Sequence, residues 1–320
     1  MRLQNLAATA LIASLAVSAA GVAWAQDYPN KPLRIITTPA GGGNDFLTRL
    51  VAAGITGGLG QNVVVDNRPA NVAGETAVKA TPNGYTMIIT GNFLWVSPLL
   101  SRKPAYDAVR DLAPISLLAT SPNVIVVHPS VGASSTKELI ALAKAKPGVL
   151  NYGMTGTGTA NHTAAELFKS MAGVEIVSVG YKGTGAATTD LLAGRVQVMF
   201  ASVQSVIPHI KSGRLKALAV TGSAQSALLP ELPTVAASGV PGYEAQSIFG
   251  AFAPAGTPGA VINRLNREIV QYLKTAEARE RLLSVGMEVV GSSPAQLAEV
   301  VKSETLRLGK LIRATGMRRN

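Results

Sequence analysis

Leu150-Asn-Tyr-Gly-Met-Thr-Gly-Thr-Gly-Thr-Ala-Asn-His-Thr-Ala-Ala-Glu-Leu-Phe-Lys-Ser-Met171 changes character twice in one run. An apolar stretch ends at Tyr152, glycines stand at 153, 156 and 158, and Ala164, Leu167, Phe168 and Met171 then recur at helical spacing. Thr159 or Asn161 stands where a helix wants a capping side chain. The reading is strand, glycine loop, helix N-terminus. Glycine admits positive φ and close approach of a ligand, and the first helical turn presents N–H groups without partners and a partial positive charge. Such a place holds an anion. Taken alone, the same glycines also fit tight turns that bind nothing.

The pattern repeats upstream. Leu33 to Thr38 has strand character, Pro39-Ala-Gly-Gly-Gly-Asn-Asp45 forms a loop, and Phe46, Leu47, Leu50, Val51 and Ile55 follow at helical spacing, with Asn44 or Asp45 as N-cap and Gly57, Gly58 and Gly60 as the stop. Val63–Val65 and Tyr85–Thr90 are further strands, with a short helix between them from Gly74 to Ala80 and a strand end at Gly91-Asn92-Phe93. Downstream, a helix from Lys137, the opening stretch, a strand at Glu175–Val179, the loop Tyr181–Gly185, and strands at Val196–Phe200 and Leu215–Val220 make a second series. Strands alternating with helices define an α/β fold with mainly parallel pairing and loops at the strand carboxyl ends. Asp107–Pro114 reads as a connector, Ser223–Tyr243 as irregular, and three helices after Pro258 pack back on the first series. The expected organisation is one lobe from residues 26–119 and 222–320, a second lobe inserted at 120–221, and a ligand cleft between them, as in clamshell binding proteins.

Arg2, an uncharged apolar run from Leu6 to Val22 and the small-x-small sequence Ala23-Trp24-Ala25 form a secretory leader, with cleavage expected after Ala25. The about 295 residues that follow are enough for two domains at roughly 100–200 residues each. The chain has no cysteine, which rules out both disulfides and a lipid-modified cysteine. Its net charge is +11, but the lysines and arginines are scattered and aromatics make up only 5%, so no nucleic-acid partner is expected. A small acidic molecule fits better.

Other chemistry finds little support. His128, His162 and His209 lie far apart with no second ligand at metal spacing, so no metal is expected. No Gly-x-Ser-x-Gly elbow is present. Gly156-x-Gly158-x-x-Asn161 lacks the third glycine of a dinucleotide fingerprint, and no Gly-Lys-Ser/Thr follows a glycine loop, so no cofactor is expected either. Lys182, Tyr181, Phe93 and Trp95 are each open to a purely structural role.

Ten short motifs in order carry a resemblance. They are Tyr28-Pro29-x-Lys31-Pro32, Gly41-Gly42-Gly43-x-Asp45, Asn67-Arg68-Pro69, Pro82-Asn83-Gly84-Tyr85-Thr86, Asn151-Tyr152-Gly153, Gly158-Thr159-x-x-His162, Tyr181-Lys182-Gly183, Leu218-Ala219-Val220-Thr221, Leu232-Pro233-Thr234-Val235 and Pro254-Ala255-Gly256-Thr257-Pro258. Over nearly its whole mature length the chain resembles the periplasmic substrate-binding proteins of tripartite tricarboxylate transporters, the Bordetella uptake proteins. The resemblance implies a two-lobed, type II-like periplasmic receptor, monomeric and not an enzyme, that closes on a small carboxylate and hands it to membrane subunits. By position, the resemblance implies first-lobe contacts from Gly42, Gly43, Asn44 and Asp45, with Asn92 and Phe93 lining the cleft. The second lobe would contribute Thr155, Gly156, Thr157, Gly158 and Asn161, with Tyr181 nearby. The chain also departs from the family. Ala201 in Met199-Phe200-Ala201-Ser202 replaces a frequent aspartate, Met154 replaces a usual serine, and Pro69-Ala70-Asn71-Val72-Ala73-Gly74 replaces a glycine-rich run. These changes favour a less polar ligand, a dicarboxylic or aromatic acid, against apolar surface from Met154 and Phe93. An exported enzyme acting on a carboxylate and a ligand-sensing partner of a signalling protein are the alternatives.

Overall fold

The computed structural model describes residues 28–317, and the expected leader, residues 1–25, lies outside the described residues. Strands β1 (Leu33–Thr37), β2 (Val63–Asn67) and β3 (Thr86–Thr90) alternate with helices α1 (Gly43–Leu59) and α2 (Ala70–Val78). Helix α3 (Phe93–Leu100) and a short α4 (Ala108–Asp111) lead into β4 (Leu112–Val127). Then come α5 (Thr136–Ala145), β5 (Asn151–Met154), α6 (Ala160–Ala172), β6 (Val177–Gly180), α7 (Thr184–Leu192), β7 (Val198–Ser202), α8 (Val203–Lys211) and β8 (Lys216–Val220). The chain closes with β9 (Gln246–Pro254), α9 (Gly259–Leu273), α10 (Ala276–Ser284), β10 (Glu288–Val289) and α11 (Pro294–Thr315).

All ten strands join one mixed sheet, whose main path runs β2-β1-β3-β9-β4-β7-β5-β6. β1 pairs parallel with β2 and β3, and β5 parallel with β6 and β7. The antiparallel pairings gather on β4 and β9. Residues 112–122 of β4 pair with β9, and from Asn123 onward the same strand pairs with β7 and, from Val124, with β8.

The connector expected at Asp107–Pro114 is therefore in part strand, because β4 already begins at Leu112. Prolines concealed this. Pro114 lies at a shift of register, and Pro122 lies where the strand changes partners. A residue without an N–H is tolerated at both places. Helix α3 is likewise absent from the sequence pattern, since Phe93–Leu100 is apolar on every side and contains Pro98. Elsewhere the periodic signals hold. α1 runs through Gly57 and Gly58 and stops at Gly60, whose φ of 65° suits glycine. α11 opens with a capping box in which Ser293 and Gln296 satisfy each other's backbone N–H.

Alternation along the strands builds a core on each face. Leu33, Ile35, Met87 and Ile89 pack with Leu47, Val51 and Ile55 of α1 and Leu265 and Ile269 of α9. Ile36 and Ile88 point the other way, onto Trp95, Leu297 and Leu308. On the second half of β4, Ile125 and Val127 pack with Ala164 and Phe168 of α6. Val124 and Val126 meet Leu191 of α7 and Val206 of α8. At about 1.5–3 kcal/mol for each fully buried aliphatic side chain, these four layers carry the fold. The irregular return segment sends Val235, Val240 and Tyr243 into the layer around Phe168. Its Tyr243 hydroxyl donates to the carbonyl of Ala164 at 2.9 Å.

Candidate functional site

Three helix N-termini meet at one edge of the sheet's second half. The loop after β5 delivers α6, the turn after β6 delivers α7, and β7 passes directly into α8 with Ser202 as N-cap. A cavity of about 170 Å³ lies among Thr155, Thr159, Ala160 and Asn161 of the glycine loop and α6, Thr184 at the start of α7, Met199, Ala201 and Ser202 on β7, and Asn123 and Ser247 on the two crossing strands. None of these residues is ionisable, and seven carry a hydroxyl or side-chain amide. Each helix contributes roughly half a positive charge at its N-terminus, so the cavity is electropositive without a formal cation. Its volume falls below the roughly 300–1,000 Å³ usual for drug-sized ligands, which suits a molecule of few atoms.

The loop is braced from behind. The Asn161 side-chain oxygen accepts from the Thr155 hydroxyl at 3.2 Å, from the Thr159 hydroxyl and from the His162 N–H at 3.0 Å. The backbone N–H fixes that end of the amide as the acceptor, which directs the Asn161 amide nitrogen elsewhere. His162 is buried, and its Nδ1 accepts the Gly158 N–H at 3.1 Å. Burial holds its pKa below the ordinary histidine value; nearby Glu166 pulls upward without overcoming that, and Lys169 adds to the lowering. The imidazole is thus held neutral, as an acceptor must be.

Gly158 has φ of 82°, and a Cβ built there stands 2.3 Å from Leu100 Cδ1 and 3.2 Å from Val96 Cγ1. Both neighbours lie on α3, in the first half of the molecule. The glycine loop therefore touches α3 of the first half, and Leu167 of α6 packs against cores of both halves.

Of the residues expected at the site, Thr155, Asn161 and Ala201 line this cavity. Gly156 and Thr157 lie in the same loop, half-buried. Others have structural roles. Asp45 is buried; it accepts from Gly41 N–H at 3.0 Å and Asn67 Nδ2 at 2.8 Å and pairs with Arg49 at 3.0 Å. Burial raises its pKa, but the bonds from Asn67, Gly41 and Arg49 together outweigh that and leave it below the usual carboxylate range. The N-cap of α1 is Gly42, with no side-chain cap, so Asp45 braces the loop from the first turn. Asn92 uses both ends of its amide on β9, donating to Gln246 O at 3.2 Å and accepting from Ile248 N–H at 2.6 Å. The Tyr181 hydroxyl donates to Asp190 at 2.9 Å. Met154 packs into the second-half core, with its terminal methyl beside Gly180, and is not among the cavity's lining. Phe93 opens α3 and is half-buried. Asn44 donates to Thr38 Oγ1 at 3.0 Å, while its own Oδ1 is buried without a partner among the described residues.

Gly42 and Asp45 instead line a larger hollow of about 330 Å³ with Phe46, Arg49 and Arg281. Its arginines are already paired, Arg49 with Asp45 and Arg281 with Glu277. Every lining residue belongs to the first half, so no movement between halves acts on that hollow. The smaller cavity is the stronger candidate because it draws on both crossing strands and three helix ends. As lining residues the sequence reading missed Asn123, Thr159, Ala160, Thr184, Met199, Ser202 and Ser247. Thr184 was legible only as part of the loop Tyr181–Gly185, and Ser202 only as the residue after Ala201.

A split sheet crossed by shared strands, with helix N-termini facing a cavity beside the crossing, is the architecture of a periplasmic binding protein. The solved structures agree. The chain is similar to R. palustris Rpa4515 with adipate, at 34% identity and a TM-score of 0.80 over 91% of this chain and 99% of that one. It is also similar to MatC (Rpa3494) from Rhodopseudomonas palustris with bound malate, at 25% identity and a TM-score of 0.77 over 89% of this chain and all of that one. The model of the tripartite tricarboxylate transporter family receptor matches residues 47–317, and the chain belongs to that family. Among its relatives are the UPF0065 protein in the tcbD-tcbE intergenic region of Pseudomonas sp. strain P51, 37% identical over 89% of this chain and 86% of that protein. Another is protein BugT of Bordetella pertussis, 32% identical over 98% of both chains. Among the described residues, no helix is long and apolar enough to cross a membrane.

Proposed function

We propose that the chain is a periplasmic solute receptor that captures a small dicarboxylic or aromatic acid and delivers it to the membrane subunits of a tripartite tricarboxylate-type transporter. The observation that carries this reading is the uncharged cavity walled by the N-termini of α6, α7 and α8. One carboxylate sits there on backbone N–H groups and hydroxyls, with no counter-ion to hinder release. Ala201 and Met199 give the cavity an apolar wall and no lining residue is acidic, so an ammonium group finds no partner. That favours a plain acid over an amino acid. The second carboxylate of a diacid goes to Gly43 and Asn44, at the helix end that no side chain caps and outside the lining of the hollow beside Arg49. Adipate in one related structure and malate in another support the diacid.

In this reading the leader at residues 1–25 takes the chain to the periplasm, where it acts as a monomer. The expected lobes, 26–119 with 222–320 and the inserted 120–221, shift at one end: because Val235, Val240 and Tyr243 pack with the second half, the inserted lobe extends to the return crossing near Gln246. Ligand selects the arrangement in which the Gly158 loop meets α3, and that closed form signals to the transporter. The test is thermal denaturation of the mature chain against adipate, malate, succinate, benzoate, aspartate and glutamate, followed by calorimetry. The proposal expects saturable stabilisation by at least one plain acid and none by the amino acids. Stabilisation by amino acids alone would reject it.

A further inference from the structure

We infer that Asn123 is a ligand-binding residue whose side-chain amide donates to the carboxylate at the N-termini of α6, α7 and α8. Asn123 is 3% exposed, it lines the cavity, and its Nδ2 has no hydrogen-bond partner among the described residues. Its backbone duties are met without the side chain. Its N–H donates to Thr221 Oγ1 at 2.8 Å, and its carbonyl accepts from Thr221 N–H at 2.8 Å and Thr221 Oγ1 at 3.0 Å. Asparagine is also a poor strand former, and the next residue on β4 is the fully buried Val124. An apolar residue would serve strand and core better, because a buried amide N–H without an acceptor is costly.

The cost is recovered if a ligand supplies the acceptor. Hydroxyls and helix N–H groups surround the cavity, so what the wall lacks is a negative oxygen. A carboxylate supplies two. Asn123 also stands at the residue where β4 leaves β9 for β7, so a bond to it anchors the acid at the crossing between the halves. Neither half has to move for that contact to form, and closure then adds the others.

This inference rests on the receptor reading, and the experiment separates the two. Calorimetry would compare the mature wild-type chain with Asn123→Ala and Asn123→Asp, using whichever of adipate, malate, succinate and benzoate the wild type binds most tightly. A hydrogen bond to a charged acceptor implies a loss of about 10- to 100-fold for Asn123→Ala. Asn123→Asp, which sets a carboxylate against a carboxylate, should lose more. Without ligand, the melting midpoint of Asn123→Ala should equal or exceed the wild-type value, because an unsatisfied donor has gone. A purely structural role predicts the reverse, a lowered midpoint with unchanged affinity. Affinity within twofold of wild type in both variants would overturn the inference and leave the receptor reading standing, and would fit an amide that merely holds a water. Binding of none of the four acids by the wild type would overturn both.

Discussion

A methyl group at Gly158 should weaken ligand binding without entering the ligand's cavity. The residue sits at φ of 82°, and a Cβ there falls 2.3 Å from Leu100 Cδ1, well inside contact distance. Two costs follow for Gly158→Ala. A left-handed backbone strains an alanine by about 1–2 kcal/mol, and that cost is present with the lobes together or apart. The overlap with Leu100 costs about 1–3 kcal/mol, but only where the loop meets α3. Strain therefore lowers fold stability, while overlap lowers affinity by roughly 5- to 150-fold at 1.4 kcal/mol per tenfold. Urea denaturation reads the first effect and calorimetry with the tightest-binding acid reads the second. Leu100→Val shortens the opposing side chain at about 1 kcal/mol of core stability. Added to Gly158→Ala, it should restore most of the affinity while leaving the variant less stable still. Wild-type affinity in Gly158→Ala, or no recovery in the double variant, would refute closure through this contact.

Asp45→Asn should cost about 1–3 kcal/mol at pH 7, measured by urea denaturation, because it breaks the links to Arg49 and to the Gly41 N–H. The Asp45 pKa is depressed in the folded chain, so its contribution is full above the ordinary carboxylate value and is lost as pH falls through the folded one. The variant's deficit should therefore shrink in acid. His162 is also depressed, so between the ordinary histidine value near 6.5 and its lower folded value the unfolded chain takes up the proton first. Stability should fall as pH drops through that window, and His162→Asn, which keeps an acceptor for Gly158, should flatten the fall in denaturation curves. Ala201→Asp places a carboxylate in the cavity wall and should reduce acid binding more than tenfold by calorimetry; wild-type affinity would argue that the acid binds elsewhere.

The strand, glycine loop and helix units were legible because each signal was local and periodic: alternating β1 and β3, the apolar stripes of α1, α6 and α9, and glycines at the turns between them. β4 was harder to see, since Pro114 and Pro122 interrupt one strand of sixteen residues, whose start reads as a connector. The candidate site was half legible. Thr155, Asn161 and Ala201, which line the cavity, were named by position from the family resemblance. Asn92, Asp45 and Tyr181 have the right chemistry in the right neighbourhood, but their polar atoms are taken by Ile248, Asn67 and Asp190, partners distant in sequence for the first two. Asn123 carried no local signal at all. Its place in the cavity wall follows from the crossing of β4 between the two halves, which only long-range pairing fixes.

The central claim is that an acid lies between the halves, held by neutral donors. A crystal structure of the mature chain with its tightest-binding acid tests it directly. The account predicts carboxylate oxygens within hydrogen-bond distance of the α6 N-terminus, the Ser202 hydroxyl and the Asn123 amide. An acid seated instead in the hollow between Arg49 and Arg281 would contradict it.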